Sequence, residues 1–303
     1  MTIREAIIQG CGLLKNAGIE TPSLDASLLL SHILDINRTA LTAKGQDLLP
    51  EEALVLFHAF LDRRINGECI AYITGKKEFR NLEFFVNPSV LVPRPDTETL
   101  VEAALQIIGN GERADGNCIR VLDLCTGSGA VAIALKNERP DLEVWATDIC
   151  AEALETAKKN AEKLLGCNKI RFHIGDLYKA LPPIPHSLFP VPHSPLSAPC
   201  SPLFSLILSN PPYIPADEIQ TLPAEVQNEP RLALDGGKSG LEIIERIIGE
   251  ASSYLKRGGT LVLEADPRQM RKIENMLENL KFYDIITYKD ISGQNRVIRG
   301  ILE

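Results

Sequence analysis

The sequence predicts an α/β protein in which a parallel sheet, covered on both faces by helices, follows a small helical region. Three observations predict it. From Arg120 onward, apolar stretches of strand length alternate with amphipathic stretches of helix length. The first of these strands runs into a glycine turn, and the first ~70 residues show only helical periodicity.

Thr2 and Glu5 have the spacing of a capping box, and Ile3, Ala6, Ile7, Leu13 and Leu14 recur at helical period before Gly18. Thr21-Pro22-Ser23 opens a second helix, whose Leu24, Leu28, Leu29, His32 and Ile33 are expected to share a face. Pro50-Glu51-Glu52 opens another, through Leu54, Phe57 and Leu61. Between Ile70 and Val92 the pattern changes to short alternating stretches with Gly75 and Pro88, which suit a β-hairpin connector. The expected division is therefore a helical domain at 1–74, a connector at 75–95 and a sheet-bearing domain at 96–303.

In that last domain Val121 to Leu124, Val144 to Thr147, Ile170 to His173, Leu206 to Leu208 and Thr260 to Leu263 read as strands. Ala130 to Asn137, Ala151 to Leu165 and Gly240 to Leu255 read as the helices between them, and Tyr283 to Tyr288 with Arg296 to Leu302 as an antiparallel edge hairpin. The insertion 181–204 holds eight of the twenty prolines and can continue neither helix nor sheet, so a surface loop is expected.

Composition narrows the function. At 303 residues and 45% hydrophobic content the chain can bury an ordinary core. No apolar run approaches the roughly 20 residues of a membrane span, and the N-terminus lacks the features of a signal peptide, so a soluble, cytoplasmic protein is expected. The seven cysteines form no Cys-x-x-Cys pair and the five histidines show no ligand spacing, so neither disulfides nor a metal is expected. Lysine and arginine number 32 against 40 acidic residues, a net charge of -8 that argues against direct binding of nucleic acid.

The chemistry begins at Val121-Leu122-Asp123-Leu124-Cys125-Thr126-Gly127-Ser128-Gly129-Ala130, an apolar strand entering a glycine turn and then a helix. Gly127 and Gly129 allow backbone to approach a ligand, and the helix N-terminus is expected to offer free N–H groups. Nineteen residues beyond Gly129, Asp148 closes the next strand, where a carboxylate can accept both ribose hydroxyls of an adenosine cofactor. S-adenosylmethionine and NAD share that half, and both remain open on this evidence.

Ser209-Asn210-Pro211-Pro212-Tyr213 separates them. It follows the strand Leu206-Ile207-Leu208 and so lies at the carboxyl edge of the sheet. A planar amide or exocyclic amine is a poor nucleophile because its lone pair is delocalised, so its nitrogen must be oriented as well as brought close. The Asn210 side-chain oxygen and the Pro211 carbonyl can each accept one N–H, turning the lone pair toward an activated methyl group. Pro211 and Pro212 stiffen the loop, and Tyr213 can pack over the planar group.

With these motifs the chain resembles the HemK/PrmC protein-(glutamine-N5) methyltransferases over nearly its whole length. The likeness includes Ala71-Tyr72-Ile73-Thr74-Gly75 with Glu78-Phe79, Leu91-Val92-Pro93-Arg94-Pro95-Asp96-Thr97-Glu98, Gly175-Asp176-Leu177, and Glu229-Pro230 with Ala233-Leu234 and Gly236-Gly237. Arg94 to Glu98 is the discriminating stretch, since a sister family acting on a ribosomal-protein glutamine carries Arg-Ser-Pro there. The resemblance implies a class I, Rossmann-like, seven-stranded catalytic domain that binds S-adenosylmethionine, and a helical domain that grips the substrate, a class I peptide release factor methylated on its Gly-Gly-Gln glutamine. It places the cofactor against Cys125, Thr126, Gly127, Ser128, Gly129, Asp148, Asp176, Leu177 and Asn210, and the substrate amide against Asn210, Pro211, Pro212 and Tyr213. A monomer is expected.

Cys125 stands where the family usually has glycine, Glu264-Ala265-Asp266 replaces its Glu-x-Gly, and the proline-rich insertion is longer than usual. Three rivals remain on sequence alone. One is an amino-group methyltransferase of nucleic-acid bases, against which the charge argues. The others are an idle adaptor, against which thermal stabilisation by S-adenosylmethionine would count, and an NAD-dependent oxidoreductase, which would bind NAD and tolerate loss of Asn210.

Overall fold

The computed structural model describes residues 1–109, 119–166, 169–182 and 204–303. The expected proline-rich loop at 181–204 lies almost wholly outside the described residues. The chain divides into two compact units, one of residues 1–76 with 222–229, the other of 77–221 with 230–303.

The first unit is helical: α1 (Ile3–Asn16), α2 (Pro22–Ile33), α3 (Arg38–Ala43), α4 (Glu51–Ile65) and α5 (Ile70–Thr74). The capping box is present, with Glu5 N–H donating to Thr2 Oγ1 at 3.2 Å and Thr2 N–H to Glu5 Oε2 at 2.8 Å. Ile3, Ala6 and Leu14 of α1 meet Ala26, Leu29 and Leu30 of α2 and Phe57 and Leu61 of α4 in one core. Two expectations are corrected here. Ile70 to Thr74 is helix rather than hairpin. The buried face of α2 is Asp25, Ala26, Leu29 and Leu30, while Leu24 is exposed.

An ion pair is the reason for the rotation of α2. Arg64 Nε on α4 donates to Asp25 Oδ2 at 2.7 Å with both side chains almost fully buried, and Thr21 Oγ1 donates to Asp25 Oδ1 at 2.8 Å. Counting only apolar residues places the stripe one position off, because the innermost position holds a carboxylate. Arg64 also meets Glu225 at 2.9 Å, and Asn228 donates to the Gly67 carbonyl at 2.9 Å. These polar contacts tie α9 (Ala224–Gln227) into the unit.

The second unit holds a seven-stranded sheet of β3 (Arg120–Leu124), β4 (Glu143–Asp148), β5 (Arg171–Ile174), β6 (Phe204–Ser209), β7 (Leu255–Glu264), β8 (Phe282–Lys289) and β9 (Asn295–Leu302). The spatial order is β5-β4-β3-β6-β7-β9-β8. The first five strands run parallel, and β9 joins β7 and β8 antiparallel, as the edge hairpin predicts. Helices α6 (Glu98–Ile108), α7 (Ala130–Glu138), α8 (Ala151–Leu165), α10 (Arg231–Leu234), α11 (Glu242–Ala251) and α12 (Met270–Asn279) complete this unit. The α/β class is as expected, with α6, α10 and α12 added to the helices read from sequence.

A short hairpin of β1 (Lys76–Phe79) and β2 (Leu82–Phe85) precedes the sheet. Asn160, fully buried on α8, holds it in place. Its Oδ1 accepts the Phe85 N–H at 2.7 Å, and its Nδ2 donates to the carbonyls of Phe85 at 2.9 Å and Ser128 at 3.0 Å. One asparagine thus joins the hairpin, α8 and the glycine turn. No helix among the described residues is long and apolar enough to cross a membrane.

Removing Asp25 takes the buried partner from Arg64, which keeps only the exposed Glu225, and strips the Thr21 hydroxyl of its acceptor. Asp25→Ala is expected to cost about 3 kcal/mol or more, read as a lowered denaturation midpoint, whereas Asp25→Ala combined with Arg64→Met should recover much of the loss. A midpoint unchanged in Asp25→Ala would show that this pair does not organise the unit.

Candidate active site

The site is built where β3 and β6 run side by side. Leu124 is in register with Ser209, whose Oγ donates to the Leu124 carbonyl at 2.8 Å. The two loops leaving these strands therefore start at one level of the carboxyl edge, where ligands bind in open parallel sheets. A cavity opens there, lined by Cys125 to Ser128, Asp148, Gly175 to Leu177, Asn210 and Pro212. Of the expected residues, Gly129, Pro211 and Tyr213 do not line it; Pro211 is buried, and the Tyr213 side chain packs against the core of the sheet.

The turn after β3 is closed by its own carboxylates. Asp148 Oδ2 accepts the Gly127 N–H at 2.8 Å and its Oδ1 the Cys150 N–H at 2.9 Å. Asp123 Oδ2 accepts the Thr126 hydroxyl at 2.6 Å, and Asp123 also receives the Ala132 N–H. The N–H groups of Thr126 and Gly129 bond the carbonyls of Thr147 and Thr126. Thr126, Gly127 and Gly129 thus offer no free N–H, and of the helix N-terminus expected to supply free N–H groups, Ala132 is committed to Asp123. The turn is preformed by bonds within the protein.

Burial pushes Asp148 above the usual carboxylate range and Asp123 up to about 7. Asp123 lines the cavity and was not singled out from sequence, although a carboxylate inside the run Val121 to Leu124 is a signal that was available. Thr147 was missed as well. It lines the cavity, and its Oγ1 is buried without a partner among the described residues.

Cys125 takes a φ of 59°, in the left-handed region where glycine is at ease, which accounts for the glycine usual at this position. Its thiol is pushed up by burial and stays protonated. Gly127, at φ 56°, has nothing within 4 Å of where a Cβ would stand. A bare backbone corner, an acidic strand end with lone pairs to spare and an unpartnered Thr147 hydroxyl fit the ribose and amino-acid parts of S-adenosylmethionine. Asp176 and Leu177 face the same cavity, where Arg246 pairs with Asp176 at 2.6 Å.

The loop after β6 is held from behind. Gln269 Nε2 donates to the Tyr213 carbonyl at 2.9 Å and the Gly240 carbonyl at 3.1 Å. Asp266 orients Gln269 through a capping box, accepting the Arg268 N–H at 2.8 Å while its own N–H donates to Gln269 Oε1 at 3.2 Å. The aspartate that replaces the family's glycine at this position is therefore structural. Ile214 N–H bonds the Leu234 carbonyl and Gly236 N–H the Ile214 carbonyl, so residues 234–236 run alongside the loop.

Arg94 to Glu98 now has a physical reading. Asp96 meets Arg296 of β9 at 3.3 Å, Thr97 Oγ1 accepts from Asn210 Nδ2 at 3.1 Å, and Glu98 accepts the Arg80 N–H at 3.2 Å. The motif fastens the N-terminal edge of α6 to the hairpin, to β9 and to the loop after β6.

A Cβ on Gly236 would stand 2.8 Å from the Pro212 carbonyl oxygen and from Tyr213 Cα, both backbone atoms with nowhere to go. Gly236→Ala is expected to cost about 1–3 kcal/mol in thermal unfolding and to displace the Asn210 loop. Turnover should fall more than cofactor affinity; an unaltered melting temperature and rate would contradict this packing.

Comparison with known proteins agrees with the geometry. Residues 5–75 match the family model for the PrmC N-terminal domain, and residues 121–193 that for a methyltransferase domain. The release factor glutamine methyltransferase of Clostridium acetobutylicum is 34% identical over 99% of this chain and 99% of its own length. That of Coxiella burnetii is 38% identical over 92% and 91%. Among solved structures, the hMettl16 catalytic domain in complex with MAT2A 3'UTR hairpin 6 shares the fold, at a TM-score of 0.52 and 13% identity over 84% of this chain and 82% of that one. Similarity at this level across nearly the full length of both chains assigns the protein: it belongs to the release factor glutamine methyltransferase family.

Proposed function

We propose that this chain transfers a methyl group from S-adenosylmethionine to the side-chain amide nitrogen of the Gly-Gly-Gln glutamine in class I peptide release factors. The observation that carries the reading is the position of Asn210. It lines the cavity beside the cofactor turn, with its Nδ2 committed to Thr97 and no bond to its Oδ1 among the described residues. The relatives' name supplies the substrate class, and the site supplies the chemistry.

S-adenosylmethionine, when bound, supplies a methyl group activated by a sulfonium. Thr126 to Ser128, Asp148, Asp176 and Leu177 would hold it, Asp148 taking the ribose hydroxyls on its remaining lone pairs. Asn210 Oδ1, on the cavity wall, accepts one N–H of the substrate glutamine; the Pro211 carbonyl takes the other only if the substrate reaches past the cavity lining, which Pro211 does not join. The amide plane is then fixed, and its nitrogen lone pair faces the methyl group. As the nitrogen gains positive charge the Asn210 oxygen stabilises it, and the loop that carries it is clamped just beyond by Gln269 and the 234–236 segment. The methylated nitrogen is acidic enough to lose its proton to water, so no histidine or lysine is needed beside Asn210.

Tyr213 closes this loop by packing its ring on the core, a firmer role than stacking on a mobile substrate. The helical unit is the surface that grips the release factor. A monomer in the cytoplasm, without direct nucleic-acid contact, accords with the acidic charge.

Incubation with labelled S-adenosylmethionine and a release factor, followed by mass mapping, should find a single added methyl on the Gly-Gly-Gln glutamine. Asn210→Ala should bind the cofactor much as before and turn over about 100-fold more slowly or worse. Label on another residue type, or a base-modified nucleic acid as the better substrate, would replace this reading.

A further inference from the structure

Behind Asn210 lies a buried polar chain that does not reach the cavity except through Thr97. Thr97, 4% exposed, ends the 3-10 turn Pro95–Thr97 and lines the cavity. Glu264, 1% exposed, ends β7, pairs with Val297 of β9 in register and does not line the cavity. The Thr97 hydroxyl, whose lone pair takes the Asn210 N–H and whose proton is left free to donate, lies beside its carboxyl, with Tyr213 a weaker neighbour, while its Oε2 has no partner among the described residues. When ionised, this carboxyl can only accept, so a hydroxyl facing it must donate.

The direction of the hydrogen bonds then matters. A hydroxyl carries one proton, so if Thr97 donates to Glu264 it has only lone pairs to offer Asn210. Asn210 must present Nδ2 to Thr97, the orientation found at 3.1 Å, and its Oδ1 is left for another partner. Reverse the chain and the outcome reverses. A donor at position 264 turns the Thr97 proton toward Asn210, which favours the amide rotated by half a turn. The two orientations occupy almost the same volume, so only the network chooses between them. In the rotated state Nδ2 would meet the N–H of the acceptor amide, donor against donor.

We infer that Glu264 sets the hydrogen-bond polarity of Asn210 through Thr97, so that the oxygen of Asn210, and not its nitrogen, faces the nitrogen to be methylated. Glu264 is a positioning residue, since it touches neither substrate nor cofactor. The inference rests on the role given to Asn210 above and adds the group that keeps Asn210 in the productive orientation. The surroundings of Glu264 include Asp96 from the 3-10 turn, Tyr213 from the loop after β6 and Arg296 from β9, itself bonded to Asp290 at 3.2 Å. Arg296 favours the ionised carboxyl and Asp96 opposes it, while burial pushes the group up to about 7. The acceptor state is therefore gained as the pH rises through 7 and lost below it.

The test uses the full-length enzyme with S-adenosylmethionine and a release factor. Glu264→Gln keeps the volume but places a donor in the chain. It should lower kcat roughly 10- to 100-fold while cofactor affinity, by calorimetry, stays within about threefold of wild type. Wild-type kcat should rise through pH 7, and Glu264→Gln should be flat from pH 6 to 8. Thr97→Val, which breaks the chain without altering the carboxyl, should slow turnover comparably, and Thr97→Ser should restore it. In the Thr97→Val background Glu264→Gln should add no further loss. Wild-type rates in Glu264→Gln, a pH limb that persists in it, or multiplied losses in the double variant would each overturn the inference. Near-wild-type turnover of Asn210→Ala would overturn it together with the role of Asn210, whereas a slow Asn210→Ala beside a fast Glu264→Gln would overturn the inference alone.

Discussion

The pairing of β3 with β6 is the constraint on which the site depends. Parallel neighbours lie about 4.8 Å apart, so in-register strand ends deliver their loops side by side. Here Leu124 opposes Ser209, and the buried Ser209 hydroxyl pins that level by bonding the Leu124 carbonyl. The strand order also reverses between β3 and β6, since the chain winds from β3 to β4 and β5 on one side and from β6 to β7 on the other. The crevice at such a switch point is where cofactor and acceptor can meet without a crossing connection in the way.

Rigidity in the two loops comes from buried polar side chains rather than from their prolines and glycines alone. Asp123 and Asp148 close the turn after β3 from inside, Asn160 ties it to α8 and the hairpin, and Gln269 holds the loop after β6 by its carbonyls. Asp148, Asn160 and Gln269 bond backbone atoms, and only the Asp123 bond depends on a side chain of the loop, the Thr126 hydroxyl. That explains how the left-handed Cys125 is tolerated: the surrounding bonds determine the backbone, and the residue accepts the strain.

The alternation of strands and helices from Arg120 onward was legible because both periods are written locally, and the Gly127 turn, Asp148 and Asn210 were legible because their spacing follows from that alternation. What could not be seen depends on partners far along the chain. The face of α2 is set by Arg64, 39 residues beyond Asp25. Thr97 acquires its meaning from Asn210, 113 residues away, and Asn160 from Phe85, 75 residues away. Ile70 to Thr74 reads as alternating because one helical turn is too short to show a period, and Gly75 ends it at φ 70°. Asp123 differs, since its partner Thr126 is only three residues away, but within an apolar strand its single carboxylate carries no periodic signal.

Asp123 and Glu264 end up on the two strands flanking β6, each almost wholly buried and each pushed by burial to about 7. A carboxyl raised that far favours the protonated native state, so the stability it allows is complete below its ordinary value and is lost as the pH rises to 7. For each group the loss is on the order of 3 to 4 kcal/mol, a large fraction of what a domain of this size has to spare. Apolar side chains of similar volume would avoid it. They would also remove the acceptors on which Thr126, Thr97 and Tyr213 converge, and with them the geometry of both loops. The fold thus keeps two carboxyls that burial disfavours as ions beneath its active edge, where each is an acceptor for a hydroxyl that helps to fix the loop above it.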